Sequence, residues 1–185
     1  ELKKATGKLG EERRRLLSAV TNQGIVSFPG TVEALCSRIV LIQDDYRVSS
    51  NALLQSLRRA ALENGYLVYS CYCPLAPESR LEHLLLPELG LGFLTQSRFL
   101  EFPSIRPDRV IHFTRFTDME QLRRRRQFLN FNRKAAAELL SAAIDRLKQA
   151  KLIHDQLEEQ YHSAVDFPAV TELGDLLQRK ISNRY

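Results

Sequence analysis

Residues 38–73 constrain the possible fold of this chain more than any other segment. An apolar run at Ile39–Ile42 ends in two carboxylates, and a short loop leads into an amphipathic segment that stops at Asn64-Gly65. A second apolar run, Tyr66–Cys73, follows directly. The change from a strand-like run to a helical period and back predicts a strand, a loop, a helix and a second strand. This order is typical of the opening unit of a parallel α/β sheet.

The loop between the first predicted strand and helix, Asp44–Ser50, is the expected ligand-binding segment, because ligands of parallel sheets gather at the carboxyl ends of the strands. A strand, loop and helix in this order also form the setting of the phosphate-binding P-loop, GxxxxGK followed by Ser or Thr. Here the positions of the two glycines hold Asp45 and Ser49. The lysine position holds Ser50, and the Mg²⁺-binding hydroxyl position holds Asn51.

Each of these replacements weakens phosphate binding. The glycines of a P-loop let backbone N–H groups approach the phosphate closely, and its lysine supplies a positive charge. Asp44 and Asp45 add negative charge instead. The loop is therefore predicted to bind triphosphates poorly. The alternative is ATP binding or ATPase activity with Mg²⁺, in which Arg47 and backbone amides replace the lysine.

Paired carboxylates after the first strand also suggest a Mg²⁺ site like that of response-regulator receiver domains. Such a domain needs a phosphoacceptor aspartate about 40 residues further on, at the end of its third strand. That region contains Leu84–Glu88 and no aspartate. The receiver-like interpretation is therefore the lesser alternative.

Composition limits the class of protein. The chain has 185 residues, a formal net charge of +5 and a pI near 9.3, which permits an anionic partner without requiring one. No apolar run reaches the roughly 18–20 residues that span a bilayer, so no membrane partner is expected. Three cysteines make an odd count without a disulfide-scaffold spacing, which favours a reducing, cytoplasmic setting.

The predicted organisation is a linker or arm over residues 1–15 and a single domain over residues 16–185. Two short strands are predicted at Leu84–Leu86 and Leu91–Leu94, joined tightly. From Asp118 the apolar residues recur at helical spacing up to residue 165, which predicts a helical arm, hairpin or insertion. Asn130–Asn132 is the preferred break in that segment, since asparagine competes for backbone hydrogen bonds. A last helix is predicted after Asp166.

Several segments together resemble one family. They are Arg15–Gly24, Leu53-Leu54 with Glu63–Tyr66, Cys73-Pro74 with Leu84–Gly90, Asp118–Arg123, and Asp166–Val170. Over roughly residues 12–183 the chain resembles the C-terminal half of a bacterial family of tandem P-loop ATP-binding, NTPase-like proteins. The segment ending in Pro87-Glu-Leu-Gly90 carries the most specific match.

The resemblance implies an α/β fold in which a P-loop NTPase-like parallel sheet is flanked by helices, with a long C-terminal helical region. The family's glycine-rich loop is absent, because Asp44–Asn51 stands in its place. The implied function is a non-catalytic regulatory or scaffolding half with a degenerate Walker A loop. Its expected partners are an upstream NTPase domain of the same protein or a second copy of the chain.

Other charged and sulfur-containing groups suggest weaker hypotheses. Arg123–Arg126 are consecutive on a predicted helix and point around its axis, which favours a solvated helix face with salt bridges. The alternatives are that Arg123 and Arg126 contact a nucleic acid or the phosphate of a nucleotide. Asp108 or Asp118 could mimic a Walker-B carboxylate near a strand end. Cys71 and Cys73 lack two further ligands for zinc, so no metal site is expected.

Overall fold

A computed structural model describes residues 7–45, 49–97 and 100–182. Its strands are β1 (Glu12–Arg15), β2 (Ser18–Thr21), β3 (Gly24–Ser27), β4 (Arg38–Gln43), β5 (Val68–Tyr72), β6 (Leu81–Leu86), β7 (Leu91–Gln96) and β8 (Arg109–His112). Its helices are α1 (Pro29–Leu35), α2 (Ser50–Glu63), α3 (Met119–Arg124), α4 (Arg126–His162) and α5 (Phe167–Ser182). Short 3-10 turns follow β6 and β8 at Pro87–Leu89 and Phe113–Phe116.

Six strands form one mixed sheet in the order β1-β5-β6-β7-β4-β8. Only β6 runs antiparallel to its neighbours, so five of the six strands point the same way. The predicted α/β class and the predicted strand–loop–helix–strand unit, β4–α2–β5, are therefore confirmed. The two strands of that unit are parallel without being neighbours, because β6 and β7 lie between them. Strands β2 and β3 form a separate hairpin.

Both faces of the sheet are covered. On one face Leu54 and Ala61 of α2 pack with Ile42 and Leu84, and all four side chains are fully buried. On the other face Leu85 and Leu94 pack with residues from α1 and the β2–β3 hairpin region. Burial on both faces explains why the sheet strands lack the alternation of apolar and polar residues that marks a half-exposed strand.

Strand β1 differs from the sequence prediction, which assigned residues 1–15 to a linker or arm. Glu12–Arg15 pairs in parallel with β5 at the edge of the sheet. The arginines of this strand lie over tyrosine rings of β5, with the Arg14 guanidinium 4.2 Å from the centre of Tyr72. Glu12 accepts hydrogen bonds from Arg58 of α2 at 2.6 and 2.7 Å. The strand is held by charged groups, so apolar periodicity could not reveal it.

The tight connection predicted between two strands is confirmed as the β6–β7 hairpin. It turns through Pro87–Leu89 and Gly90, whose φ of +57° is a left-handed conformation that favours glycine. A Cβ atom at residue 90 would also approach the Ser37 hydroxyl oxygen to 2.6 Å.

The predicted break at Asn130–Asn132 is wrong, because α4 runs without interruption through its 37 residues. The side-chain oxygen of Asn130 accepts a hydrogen bond from Arg133 one turn later, at 2.5 Å, and the helix continues. The interruption lies instead at Arg125, whose φ of −100° and ψ of 10° separate α3 from α4.

At 1.5 Å per residue α4 is about 55 Å long. Asp166 caps α5 by accepting a hydrogen bond from the backbone N–H of Ala169, as the sequence predicts for a last helix after Asp166. We call α4 and α5 together the α4–α5 arm. Within the described ranges no helix combines the length and the apolar character needed to cross a bilayer.

Candidate functional site

The carboxyl ends of the five parallel strands meet at one edge of the sheet, where ligands of α/β proteins bind. Asp44 follows β4 at this edge, Cys73 follows β5 and Ser97 follows β7. The antiparallel β6 begins at the same edge with Leu81 and Glu82. The loop that the sequence singled out therefore lies beside polar residues from three other strands.

Asp44 closes the N-terminus of α2. One of its carboxylate oxygens accepts hydrogen bonds from the backbone N–H groups of Ser49, at 3.2 Å, and Ser50, at 2.9 Å. The side chain is buried, and the Asp44 N–H donates to the carbonyl of Gln96 in β7. The first amide groups of a helix carry a partial positive charge and attract anions. Here the chain supplies that anion itself.

The remaining residues predicted for a phosphate site serve the fold or face solvent. Asn51 accepts a hydrogen bond from the N–H of Leu81 at 3.0 Å, which ties the start of α2 to the start of β6. Ser49 is the N-cap residue of α2, although its side chain makes no capping hydrogen bond. Ser50 is buried and Asp45 is exposed. Arg47 lies outside the described residues.

Both candidates for a Walker-B carboxylate accept hydrogen bonds from backbone N–H groups outside α2. Asp108 precedes β8, and its carboxylate accepts a hydrogen bond of 2.6 Å from the N–H of Ile39. Ile39 is near the amino end of β4, so Asp108 lies at the opposite edge of the sheet from Asp44. Asp118 caps α3 by accepting hydrogen bonds from the N–H groups of Glu120 and Gln121.

Arg123 and Arg126 lie at the junction of α3 and α4, and both are exposed. Across the described part of the chain, neither arginine forms a hydrogen bond or an ion pair with the residues that follow β4. The structure therefore brings Asp44, Ser49, Ser50 and Asn51 together and leaves the arginines in a separate basic segment.

A buried acid–imidazole pair at the same edge was missed by the sequence reasoning. Glu82 and His83 are adjacent in β6, almost fully buried, with 3.8 Å between the Glu82 carboxylate and His83 Nε2. His83 Nδ1 accepts a hydrogen bond from the N–H of Thr95, so the proton of the neutral ring is on Nε2. The sequence signal was present, since two titratable residues interrupt the apolar run Leu81–Leu86.

A β-bulge explains the position of Glu82. The register between β5 and β6 passes from the pair Cys71–His83 to the pair Tyr72–Leu81, which leaves Glu82 as the extra residue. Bulges redirect side chains and are common next to functional sites. Glu82 lines a cavity of about 230 Å³, and His83 packs against the ring of Phe102 at 5.4 Å.

The cavity lies between the β2–β3 hairpin, the start of β6 and α4. Its walls are mostly apolar, with Val20, Ile25, Leu100 and Leu140 among them. Glu82, Arg80 and Ser18 supply polar atoms. At 3.8 Å the Glu82 carboxylate and His83 Nε2 are close enough for an electrostatic interaction but lie beyond hydrogen-bond distance.

Comparison with known proteins adds no relative: no family model, curated protein or solved structure matches the chain.

Proposed function

We propose that this chain is a P-loop NTPase-like domain whose phosphate position is filled by its own carboxylate. It acts as a non-catalytic regulatory or scaffolding half and works with an active NTPase domain upstream in the same protein. The order of β4, loop and α2 supports the fold assignment. The hydrogen bonds from Ser49 and Ser50 to Asp44 are the single observation that carries the functional one.

A Mg-nucleotide does not fit the groups present at this loop. A phosphate at the α2 N-terminus would have to displace the Asp44 carboxylate from two backbone N–H groups. Two like charges 4 Å apart repel by about 4 kcal/mol at an effective dielectric constant of ~20. Asn51, at the Mg²⁺-ligand position, is already hydrogen-bonded to Leu81. We therefore derive no catalytic step through ATP or Mg²⁺.

Isothermal titration with Mg-ATP and Mg-GTP tests the proposal. We expect no saturable binding at nucleotide concentrations up to about 1 mM, which corresponds to a binding free energy weaker than about −4 kcal/mol. Submicromolar binding by the wild-type chain would overturn the proposal. It would favour the alternative in which the loop binds nucleotide without the lysine, and loss of that binding in Arg47→Ala would then identify the replacement cation.

A matched pair of isosteric variants tests the role of Asp44 separately. Asp44→Asn removes the charge that two amides contact, and we expect it to lower the free energy of unfolding by about 1–2 kcal/mol. Asp45→Asn is the control, because Asp45 is exposed and its change should stay within about 0.5 kcal/mol. Urea denaturation measures both. Equal stability of the two variants would show that the Asp44 carboxylate does not hold the helix end.

A further inference from the structure

The chain exposes much more surface than a compact protein of its mass. Its accessible area is 13510 Å² at 21.3 kDa. The relation between area and mass for compact monomers gives roughly 9,100 Å², so the excess is about 4,400 Å². Extensive interfaces between stable partners bury about 2,000–5,000 Å² in total. The described residues of α4 and α5 include no buried side chain, so the α4–α5 arm accounts for much of this excess.

Helix α4 has two apolar faces, and only one of them contacts the sheet domain. Leu140 lines the cavity beside β2, while the next residue back, Leu139, is 72% exposed. Consecutive helical residues point about 100° apart, so Leu139 belongs to a different face. That face, the α4 stripe, consists of Phe128, Leu139, Ile153, Leu157 and Tyr161, each more than half exposed. Their separations are close to whole numbers of helical turns.

The charges on α4 and on the residues that lead into it oppose the dipole of the helix. Residues 123–134 carry six arginine or lysine side chains, three of them within α4, and no acid, whereas residues 152–162 of α4 carry three carboxylates and no lysine or arginine. A helix is stabilised by acids at its N-terminus and cations at its C-terminus, so this order is unfavourable for the helix alone. Of the six cations, only Arg124 forms an ion pair with a carboxylate among the described residues. Opposite charges from another molecule would compensate for the arrangement.

We propose that two copies of this chain pair through the α4 stripe, antiparallel and about a two-fold axis near Ile144. The antiparallel direction places the basic end of each helix beside the acidic end of the other. It also places Phe128 opposite Tyr161, and the large Leu139 opposite the small Ala150. A parallel pair would instead bring like charges together. The contact is isologous, so the two-fold symmetry closes it at a dimer.

In this dimer the partner for the proposed scaffolding function is a second copy of the chain, so the dimer proposal rests on that function. The two proposals nevertheless fail separately. Nucleotide titration reports on the α2 N-terminus and leaves the dimer untouched, whereas the mass in solution reports on α4 and is independent of the loop after β4.

Sedimentation equilibrium of the 185-residue chain is the test. The wild type should have a mass twice that of the 21.3 kDa chain at tens of micromolar protein. Leu139→Glu and Leu157→Glu should each weaken the dimer on the order of 100-fold or more, since a charge would enter an apolar interface. Leu152→Glu is the matched control, because Leu152 is 64% exposed on α4 but lies outside the stripe.

The control variant should remain dimeric. Circular dichroism and thermal unfolding of each variant at low protein concentration check that it folds, which is expected because these side chains are exposed in a single copy. A monomeric wild type, or equal dimerisation of all three variants, would overturn the pairing.

Cysteine cross-linking tests the direction of the helices. A mixture of Phe128→Cys and Tyr161→Cys proteins should form a disulfide-linked pair, whereas either variant alone should form little. The native cysteines 36, 71 and 73 are all buried and give a low background. Self-linking of each variant without cross-linking of the mixture would indicate a parallel pair and contradict the proposal.

Nucleic acid is the competing occupant of the basic end. Fluorescence anisotropy with a labelled oligonucleotide distinguishes it, because nucleic-acid affinity falls steeply with salt. A monomeric chain that binds DNA or RNA tightly at low salt would overturn the pairing and assign residues 123–134 to a polyanion.

Discussion

The sheet domain and the α4–α5 arm use the same apolar residues in opposite ways. Leu54, Leu84 and Leu94 are fully buried between the sheet and its covering segments. Leu139, Ile153 and Leu157 have the same kind of side chain and a comparable helical spacing to that of α2, yet each is at least half exposed. Apolar periodicity therefore indicates that a face needs a partner. It does not indicate whether that partner belongs to the same chain.

The largest expected effect is on the free energy of unfolding, and it is obtained by comparing one leucine substitution in the sheet domain with one in the arm. Leu54→Ala removes a fully buried side chain under α2, so the free energy of unfolding should fall by about 2–5 kcal/mol. Leu152→Ala on the exposed side of α4 should change it by less than about 0.5 kcal/mol. Urea denaturation followed by circular dichroism measures both. A loss of similar size at Leu152 would mean that the arm packs as tightly as the sheet.

The ion pair between β1 and α2 should have a smaller effect that depends on pH. Hydrogen bonds from Arg58 lower the pKa of Glu12, because they stabilise its charged carboxylate in the folded state. Its contribution is present above the unfolded-state pKa of about 4.3 and is lost as the pH falls through the lower folded-state value. Glu12→Gln should therefore cost about 1 kcal/mol at pH 7 and almost nothing in strong acid.

Glu11→Gln is the control for that measurement. Glu11 also contacts an arginine, Arg13, but both side chains are substantially exposed. Arg13 also lowers the pKa of Glu11, but solvent screens that exposed pair, so unfolding curves collected from pH 7 down to acid should show a much larger closing gap for Glu12→Gln than for Glu11→Gln. If the difference in unfolding free energy between the wild type and Glu12→Gln stays constant with pH, the ion pair is not its cause.

The smallest effect is expected at the start of the helical region. Arg124 and Glu120 are joined by an ion pair of 2.6 Å, the same length as the Arg58–Glu12 contact, but both side chains are about three-quarters exposed. Glu120→Gln should change the stability by less than about 0.5 kcal/mol, and salt should reduce the effect further. Thermal unfolding at two salt concentrations measures it. An effect as large as that at Glu12 would contradict the view that exposure separates the two pairs.

The α2 helix and the β6–β7 hairpin could be predicted because the pattern of neighbouring residues is enough to indicate each of them. The period of Leu53, Leu54 and Leu57 and the stop at Asn64-Gly65 closely match the observed Ser50–Glu63. Strand β1 could not be predicted in this way, since its stabilising contacts come from Tyr72 and Arg58, which are more than forty residues distant.

The candidate site follows the same division. That the loop after β4 lacks glycine and lysine was evident from the residues alone. That Asp44 would cap α2 was not, because the contact depends on how the loop returns its carboxylate to the amides of Ser49 and Ser50. The pair Glu82–His83 was overlooked because a bulge, which no local pattern marks, places Glu82 beside a cavity.

The sequence by itself determined the α/β class, the helix after β4 and the absence of glycine and lysine from the loop between them, since each depends on neighbouring residues and their intrinsic preferences. Only the tertiary structure decided which strands are neighbours, that Asp44 fills the helix end and that one apolar face of α4 is exposed. Those outcomes depend on contacts between distant segments, whose free energy is spread over many residues and is not encoded in any short pattern.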